Sequence, residues 1–229
     1  MVAQKLTDRY RSPADLPQRI PVFPLRGTIL LPRAMLPLNV FEPRYLQMVE
    51  DIMSTSRVLG IVQPEGSKEN ESPRDHAAPL RRTGCAGRIT AYQELDDGRR
   101  LITLTGVARF TLKGEVPLDK PYRIWTVTYD PFLADFAPGV GDESVDRNAL
   151  LTTLKAYLKA RKLDADWEAI ARSSNEALVN SLSIVSPYGP EEKQALLEAA
   201  DLRARADILV ALAEMEMAAG SSGPGSVLQ

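Results

Sequence analysis

A chain of 229 residues, 44% of them apolar and 25% charged, has enough material for one large hydrophobic core or two small ones. Its formal net charge of -2 leaves no whole-chain footprint for nucleic acid, and pairs such as Arg81-Arg82 and Arg99-Arg100 read as solvated surface. No run approaches the roughly 18 apolar residues of a membrane span. Residues 1–20 carry no apolar signal core, and a single cysteine, Cys85, forms no intramolecular disulfide, so a cytoplasmic protein is expected.

In chain order, residues 1–19 read as a polar N-terminal segment. Residues 19–25 and 28–31 are candidate strands on either side of a turn at Arg26-Gly27. Phe41-Glu42-Pro43 announces a helix, because proline suits the first helical position, where its missing N–H costs nothing. Tyr45, Met48, Val49 and Ile52 follow at helical spacing on one face. Residues 57–63 return to strand. Residues 64–82 are polar and aperiodic, which predicts a long surface loop, and they hold His76, the one histidine.

From Gly84 onward the pattern is β. Residues 87–95 and 99–105 flank Asp96-Asp97-Gly98, a hairpin signal because Asp and Gly tolerate the backbone such turns need. Residues 107–113 and 122–129 supply two further strands. Many short strands with one early helix predict a small closed or nearly closed barrel over residues 20–130. Prolines and glycines over 131–144 mark a linker. Residues 145–219 switch to helix formers and predict an α-helical bundle, and 220–229 is a tail of small residues.

Within the bundle, Leu150, Leu151, Leu154, Tyr157 and Leu158 form one stripe. Ser173-Ser174-Asn175-Glu176 fits a capping box, with the serine oxygen and the Glu176 carboxylate both satisfying backbone donors. The helix it opens is expected to turn Ala177, Leu178, Ser181 and Leu182 inward. Gly189-Pro190-Glu191-Glu192 starts another helix, with acids facing its positive dipole end. Asp201 is expected to cap the last one.

Catalytic patterns are missing. Gly66-Ser67-Lys68 has the wrong order and spacing for a phosphate-binding loop. One histidine and one cysteine cannot make a four-ligand zinc site, and a Cys85–His76 pair is better read as a buried thiol and a solvated loop residue. No cofactor and no enzymatic activity are expected.

Five segments in order resemble the N-terminal substrate-binding domain of Lon proteases. They are Pro21-Val22-Phe23-Pro24-Leu25, Pro37-Leu38-Asn39-Val40-Phe41-Glu42-Pro43-Arg44-Tyr45, Gly84-Cys85-Ala86-Gly87-Arg88-Ile89, Asp97-Gly98-Arg99 and Leu104-Thr105-Gly106-Val107-Ala108-Arg109-Phe110. The resemblance implies an α+β fold, a PUA-like small β-barrel followed by a C-terminal α-helical bundle. It also implies a non-catalytic polypeptide-binding or adaptor protein, since a chain ending at Gln229 has no room for the ATPase and protease modules that follow this region in complete Lon enzymes. The expected partners are unfolded or exposed polypeptide segments, together with a protease or chaperone machine. Neither nucleic acid nor membrane is expected.

The resemblance places a methionine in a substrate-contact loop, which here is Arg33-Ala34-Met35-Leu36 between Pro32 and Pro37. Met35 and Leu36 are therefore candidate contacts, joined by Arg33 and Arg44; the alternatives are that Met35 and Leu36 plug the barrel and that Arg44 pairs with Glu42. A patch of ~300 Å² gains roughly 7 kcal/mol, much of which association costs remove, so micromolar or weaker affinity is expected. Two other functions fit parts of the sequence: RNA binding by a PUA-like barrel, and a scaffold acting through the helical half.

Overall fold

The strands form where β-branched and aliphatic residues are flanked by turn chemistry. In the computed structural model, which describes residues 6–66 and 78–221, they are β1 (Arg19–Pro24), β2 (Met35–Val40), β3 (Val58–Pro64), β4 (Leu80–Glu94), β5 (Arg100–Val116) and β6 (Ile124–Thr128). Helices are α1 (Pro43–Met53), α2 (Arg147–Arg161), α3 (Trp167–Arg172), α4 (Asn175–Val185), α5 (Pro190–Glu198) and α6 (Leu202–Ser221). The fold class is α+β. His76 and residues 222–229 of the expected tail lie outside the described residues.

The sheet runs β2-β5-β4-β3-β1-β6, with a further pairing of β5 to β6. All ladders are antiparallel except β1 with β3. Central β3 is buried along six consecutive residues, the continuous apolar run of a strand covered on both faces. The expected strands at 99–105 and 107–113 are one long strand, β5, accommodated by register shifts against β4. The turn between β4 and β5 is as expected: Gly98 has φ 86, and the Asp97 carboxyl, held by hydrogen bonds from Arg99, sits below the usual carboxylate range.

The chain divides into two units, residues 1–138 with 187–197, and residues 139–186 with 198–229. The core of the first is a cluster including Ile20, Val22, Val58, Val62, Phe110 and Tyr129. Phe110 occupies space that two glycines leave open: a Cβ on Gly84 would lie 2.6 Å from the Phe110 ring and 2.6 Å from the Ile61 carbonyl oxygen, and one on Gly60 would lie 2.7 Å from the same ring. Helix α1 buries the face its spacing predicts, Tyr45, Met48, Val49 and Ile52.

Four expectations change. Residues 28–31 form no strand, although Ile29, Leu30 and Leu31 are fully buried; they cross the core as irregular chain. The N-terminal segment is not merely polar, since Tyr10 and Leu16 join the core. Residues 131–144 begin with the 3-10 turns Asp130–Phe136, whose Asp135 and Phe136 are buried. Finally, α5 up to Leu197 clusters with the sheet and not with the other helices. Its Gln194 accepts a hydrogen bond from Gln63 Nε2 at 3.0 Å and donates to the Thr83 carbonyl at 3.3 Å, and Gln63 Nε2 also donates to the Pro190 carbonyl at 2.9 Å.

In the second unit, Asp146, Asp166, Ser174 and Asp201 each accept from a backbone N–H three residues on, satisfying donors at helix starts. Helix α2 packs on α6, burying Leu150, Leu154 and Tyr157. The capping box does not form in the expected register: the cap is Ser174, one residue later than Ser173, so that Ala177 and not Glu176 is the third helical residue, and the Glu176 carboxylate accepts from Gly139 N at 3.2 Å. Helix α4 buries Leu178, Val179, Asn180 and Ser183, a face rotated from the expected one. Asn180 accepts a buried hydrogen bond from Arg205 at 3.0 Å, so a polar pair sets the orientation that an apolar count misses.

Candidate polypeptide-contact surface

The residues 33–40 are built as a pinned turn followed by an edge strand. Arg33 adopts φ 63, a left-handed conformation that costs an L-residue roughly 1–2 kcal/mol. Two backbone bonds hold it there, Arg33 N to the Gly106 carbonyl at 2.8 Å and Gly106 N to the Ala34 carbonyl at 2.9 Å. Its guanidinium Nη1 donates to the Asp135 carbonyl at 2.6 Å. Gly106 is required at this crossing, because a Cβ would lie 2.0 Å from the Leu31 carbonyl oxygen.

The expected loop at Met35 and Leu36 is the beginning of β2. Alternation along the strand separates the two residues: Met35 is 60% exposed, whereas Leu36 is 7% exposed and belongs to the core. Met35, Pro37 and Asn39 stand opposite Thr105, Thr103 and Leu101 in the antiparallel register with β5. Leu101 is 39% exposed, and Pro37 is exposed as well. Thr90 Oγ1 bonds Thr105 Oγ1 at 2.9 Å and donates to the Thr103 carbonyl at 3.3 Å, so the hydroxyls between them are mutually satisfied. The resulting strip presents a methionine, a proline and a leucine.

β2 ends the sheet, and β5 is its single ladder partner among the described residues. An edge strand turns a row of backbone N–H and C=O groups outward, ready to pair with another extended chain. Pro37 removes one donor from β2, which is why proline is tolerated in this position.

Arg44 is placed elsewhere. Its guanidinium is engaged by Glu42 at 2.9 and 3.2 Å, lies 4.5 Å from the Tyr45 ring centroid, and its side chain is 12% exposed. Tyr45 in turn stacks on Phe23 at 4.1 Å, and burial raises its hydroxyl pKa. Arg44 thus anchors the start of α1. Sequence reasoning missed Pro37 and Leu101, because their shared face follows only from the β2–β5 register. The buried Cys85 is in no disulfide and lies within β4 of the sheet. Among the described residues, no three His, Cys, Asp or Glu side chains are grouped to hold a metal ion, and no helix is long and apolar enough to cross a membrane.

Comparison with known proteins gives a consistent result. The family model of the ATP-dependent protease La (LON) substrate-binding domain matches residues 19–214. A Lon protease from Syntrophus aciditrophicus is 26% identical over 196 residues, which is 83% of this chain and 24% of that protein. One from Parabacteroides distasonis is 30% identical over 82% of this chain and 22% of its own length. The chain therefore spans about a quarter of the length of these relatives. Among solved structures, a Lon N-terminal domain protein from Xanthomonas campestris superposes with TM-score 0.59 at 22% identity, covering 84% of this chain and 97% of that one. The N-terminal domain of a Mycobacterium avium complex Lon protease gives TM-score 0.61 at 18% identity, with 86% and 98% covered.

Proposed function

This chain belongs to the Lon substrate-binding domain family, and from that premise we propose that it is a non-catalytic polypeptide-recognition module that captures exposed segments of other chains along the edge strand β2. The observation that carries the reading is the exposed Met35, Pro37 and Leu101 strip on a strand with one ladder partner. A client in extended conformation adds to the edge through main-chain hydrogen bonds, which are indifferent to sequence. Methionine adapts its shape to whatever apolar side chain arrives. Both properties favour broad, weak binding. The pairing of β5 with β6, in addition to its pairings with β2 and β4, supports a PUA-like barrel as the rigid scaffold beneath the strip. An adaptor role, in which captured segments pass to a protease or chaperone machine, is part of the proposal and is supported by the family's description as the substrate-binding domain of an ATP-dependent protease.

The test is fluorescence anisotropy of a labelled, permanently unfolded polypeptide with a blocked C-terminus, titrated with wild type and with Met35→Asp. Saturable micromolar binding that the variant loses is the expected result. Absence of binding to several unfolded chains at high micromolar protein would sink the reading.

A further inference from the structure

The second unit carries a groove of its own, between α2 and α3, with a volume of about 640 Å³. That size falls in the ~300–1,000 Å³ range of binding pockets. Its floor is made by Leu151, Leu158, Trp167 and Ile170, all half-buried, and Leu163 beside them is 60% exposed. The packing explains why this apolar surface is left open. Helix α2 packs on α6 and buries Leu150, Leu154 and Tyr157, a different set of residues. Helix α3 is six residues long and buries none of its side chains. A polar bond ties down its end, with Arg147 Nη2 donating to the Ile170 carbonyl at 2.6 Å.

The rim of the groove is basic. Lys155 and Lys159 line it four residues apart on α2, and both are exposed. Lys155 Nζ lies 5.3 Å from the Trp167 ring centroid. Among the described residues, no carboxylate pairs with either ammonium, whereas the neighbouring Arg161 has Glu216 at 2.7 Å. The acid in the lining, Asp164, uses its Oδ1 to accept from the Ala165 backbone N–H at 2.8 Å.

The walls decide the form of the occupant. Both are helices, whose backbone N–H and C=O groups bond within their own turns, so an extended chain finds here none of the main-chain partners that β2 presents. A helix brings its own backbone bonds with it. Leu151 and Leu158 stand seven residues apart, about 10.5 Å along α2, which matches the i, i+3, i+4, i+7 anchors of an amphipathic helix in a groove. The unpaired lysines then call for carboxylates beside that apolar stripe.

We infer that the α2–α3 groove docks a short acidic amphipathic helix of a partner protein, its apolar stripe against Leu151, Leu158, Leu163 and Trp167 and its carboxylates on Lys155 and Lys159. This contact stands apart from client capture at β2. It gives the second unit a partner of its own, as an adaptor that holds a client with one surface requires of another.

Three labelled helical peptides of about four turns test it. They share one leucine stripe at i, i+3, i+4 and i+7, flanked by glutamate in the first, glutamine in the second and lysine in the third. The glutamate peptide is expected to shift the Trp167 indole N–H resonance of the full chain, assigned through Trp167→Phe. It should bind about fivefold more tightly than the glutamine peptide, the worth of two exposed ion pairs, by a margin that shrinks as salt is added. Lys155→Glu together with Lys159→Glu should reverse the order, so that the lysine peptide binds best. Leu163→Asp should weaken all three by about tenfold. These positions are exposed, and circular dichroism checks that each variant is folded.

Equal affinity of the glutamate and glutamine peptides overturns the inference. So does an order that the double lysine variant leaves unchanged, or no binding of any peptide at high micromolar protein. Peptide binding that Met35→Asp abolishes would assign it to the β2 edge, and self-association that Leu163→Asp abolishes would make a second copy of this chain the occupant; either result overturns it as well. The unfolded polypeptide used above reports on β2 and the helical peptides report on α2 and α3, so the two readings fail separately.

Discussion

Arg109 grips Asp135 at both carboxylate oxygens from β5, at 2.9 Å each, with side chains 4% and 8% exposed. A third bond runs from the Arg109 backbone N–H to the same carboxylate, and Arg109 Nη1 donates to the Leu197 carbonyl at 3.1 Å. The Phe132 ring sits 4.4 Å from the guanidinium carbon. One side chain therefore fastens the turns at Asp130–Phe136 and the end of α5 to the sheet. Asp135→Ala leaves a buried guanidinium without its counterion, and should lower stability by about 3–5 kcal/mol. Urea denaturation followed by circular dichroism measures it. A loss under 1 kcal/mol would show that the pair is not sealed from solvent.

Met35→Asp and Leu36→Ala should separate binding from stability. Met35 is an exposed surface position, so its replacement shifts stability by no more than about 0.5 kcal/mol while abolishing capture of unfolded chains. Leu36 is core, and its truncation should cost about 2–5 kcal/mol with binding intact in the molecules that remain folded. The paired denaturation and anisotropy data reverse these assignments if Leu36, not Met35, governs binding.

The two outcomes mark where sequence reasoning reached and where it stopped. Helix α1 was legible to the residue, because its four apolar positions share one face and Pro43 marks the start. The β4–β5 turn was legible because Gly98 must supply a positive φ. β2 was hidden by Pro37, which argues against a ladder until the strand is known to be an edge. Residues 28–31 misled in the other direction, since burial in irregular chain and burial in a strand demand the same aliphatic residues. The role of Asp135 depends on a partner 26 residues away, a separation at which local pattern carries no information.

Lys193 gives a pH dependence. The residue is 2% exposed, and burial pushes its ammonium down to about 8. The unfolded chain therefore binds this proton more tightly than the folded one, and the penalty is fully present below about pH 8. As pH rises from about 8 toward the ordinary lysine value near 10.4, the penalty is relieved. Lys193→Met should raise the urea midpoint at pH 7, and its advantage over wild type should narrow progressively above pH 8. A pH-independent difference would place the ammonium in water.

Asp51 works in the opposite sense. It accepts hydrogen bonds from Tyr122 Oη at 2.6 Å and Lys120 Nζ at 2.9 Å, which lower its pKa from the model-peptide range. Its stabilising effect is present above about pH 4 and is lost as pH falls through the lowered folded value. Tyr122→Phe removes the larger cause, so the Asp51 carboxyl should titrate at higher pH in the variant, read by carbon NMR of the side chain. An unchanged titration would mean that Lys120 and Gln47, whose Nε2 donates to Asp51 Oδ1 at 3.0 Å, set the charge without the tyrosine.

Gly84→Ala tests the space around Phe110. The added methyl collides with backbone as well as ring, so relaxation must move β3 or β4. A destabilisation at or above the usual 1–3 kcal/mol of core overpacking is expected, and Phe110→Leu in the same chain should restore part of it. No recovery would assign the cost to the Ile61 carbonyl instead.

The membership of α5 in the sheet unit has a consequence for how the chain is made. A ribosome delivers residues 1–138 first and then spends residues 139–186 on the other unit before Pro190, Gln194 and Leu197 emerge. During that interval Gln63 and Arg109 lack the partners that α5 later brings. At about 5–20 residues per second, the nascent sheet waits several seconds, unfinished, with polar groups and apolar surface turned toward solvent and folding helpers. A protein proposed to hold other chains at that stage passes through the same exposed state during its own synthesis.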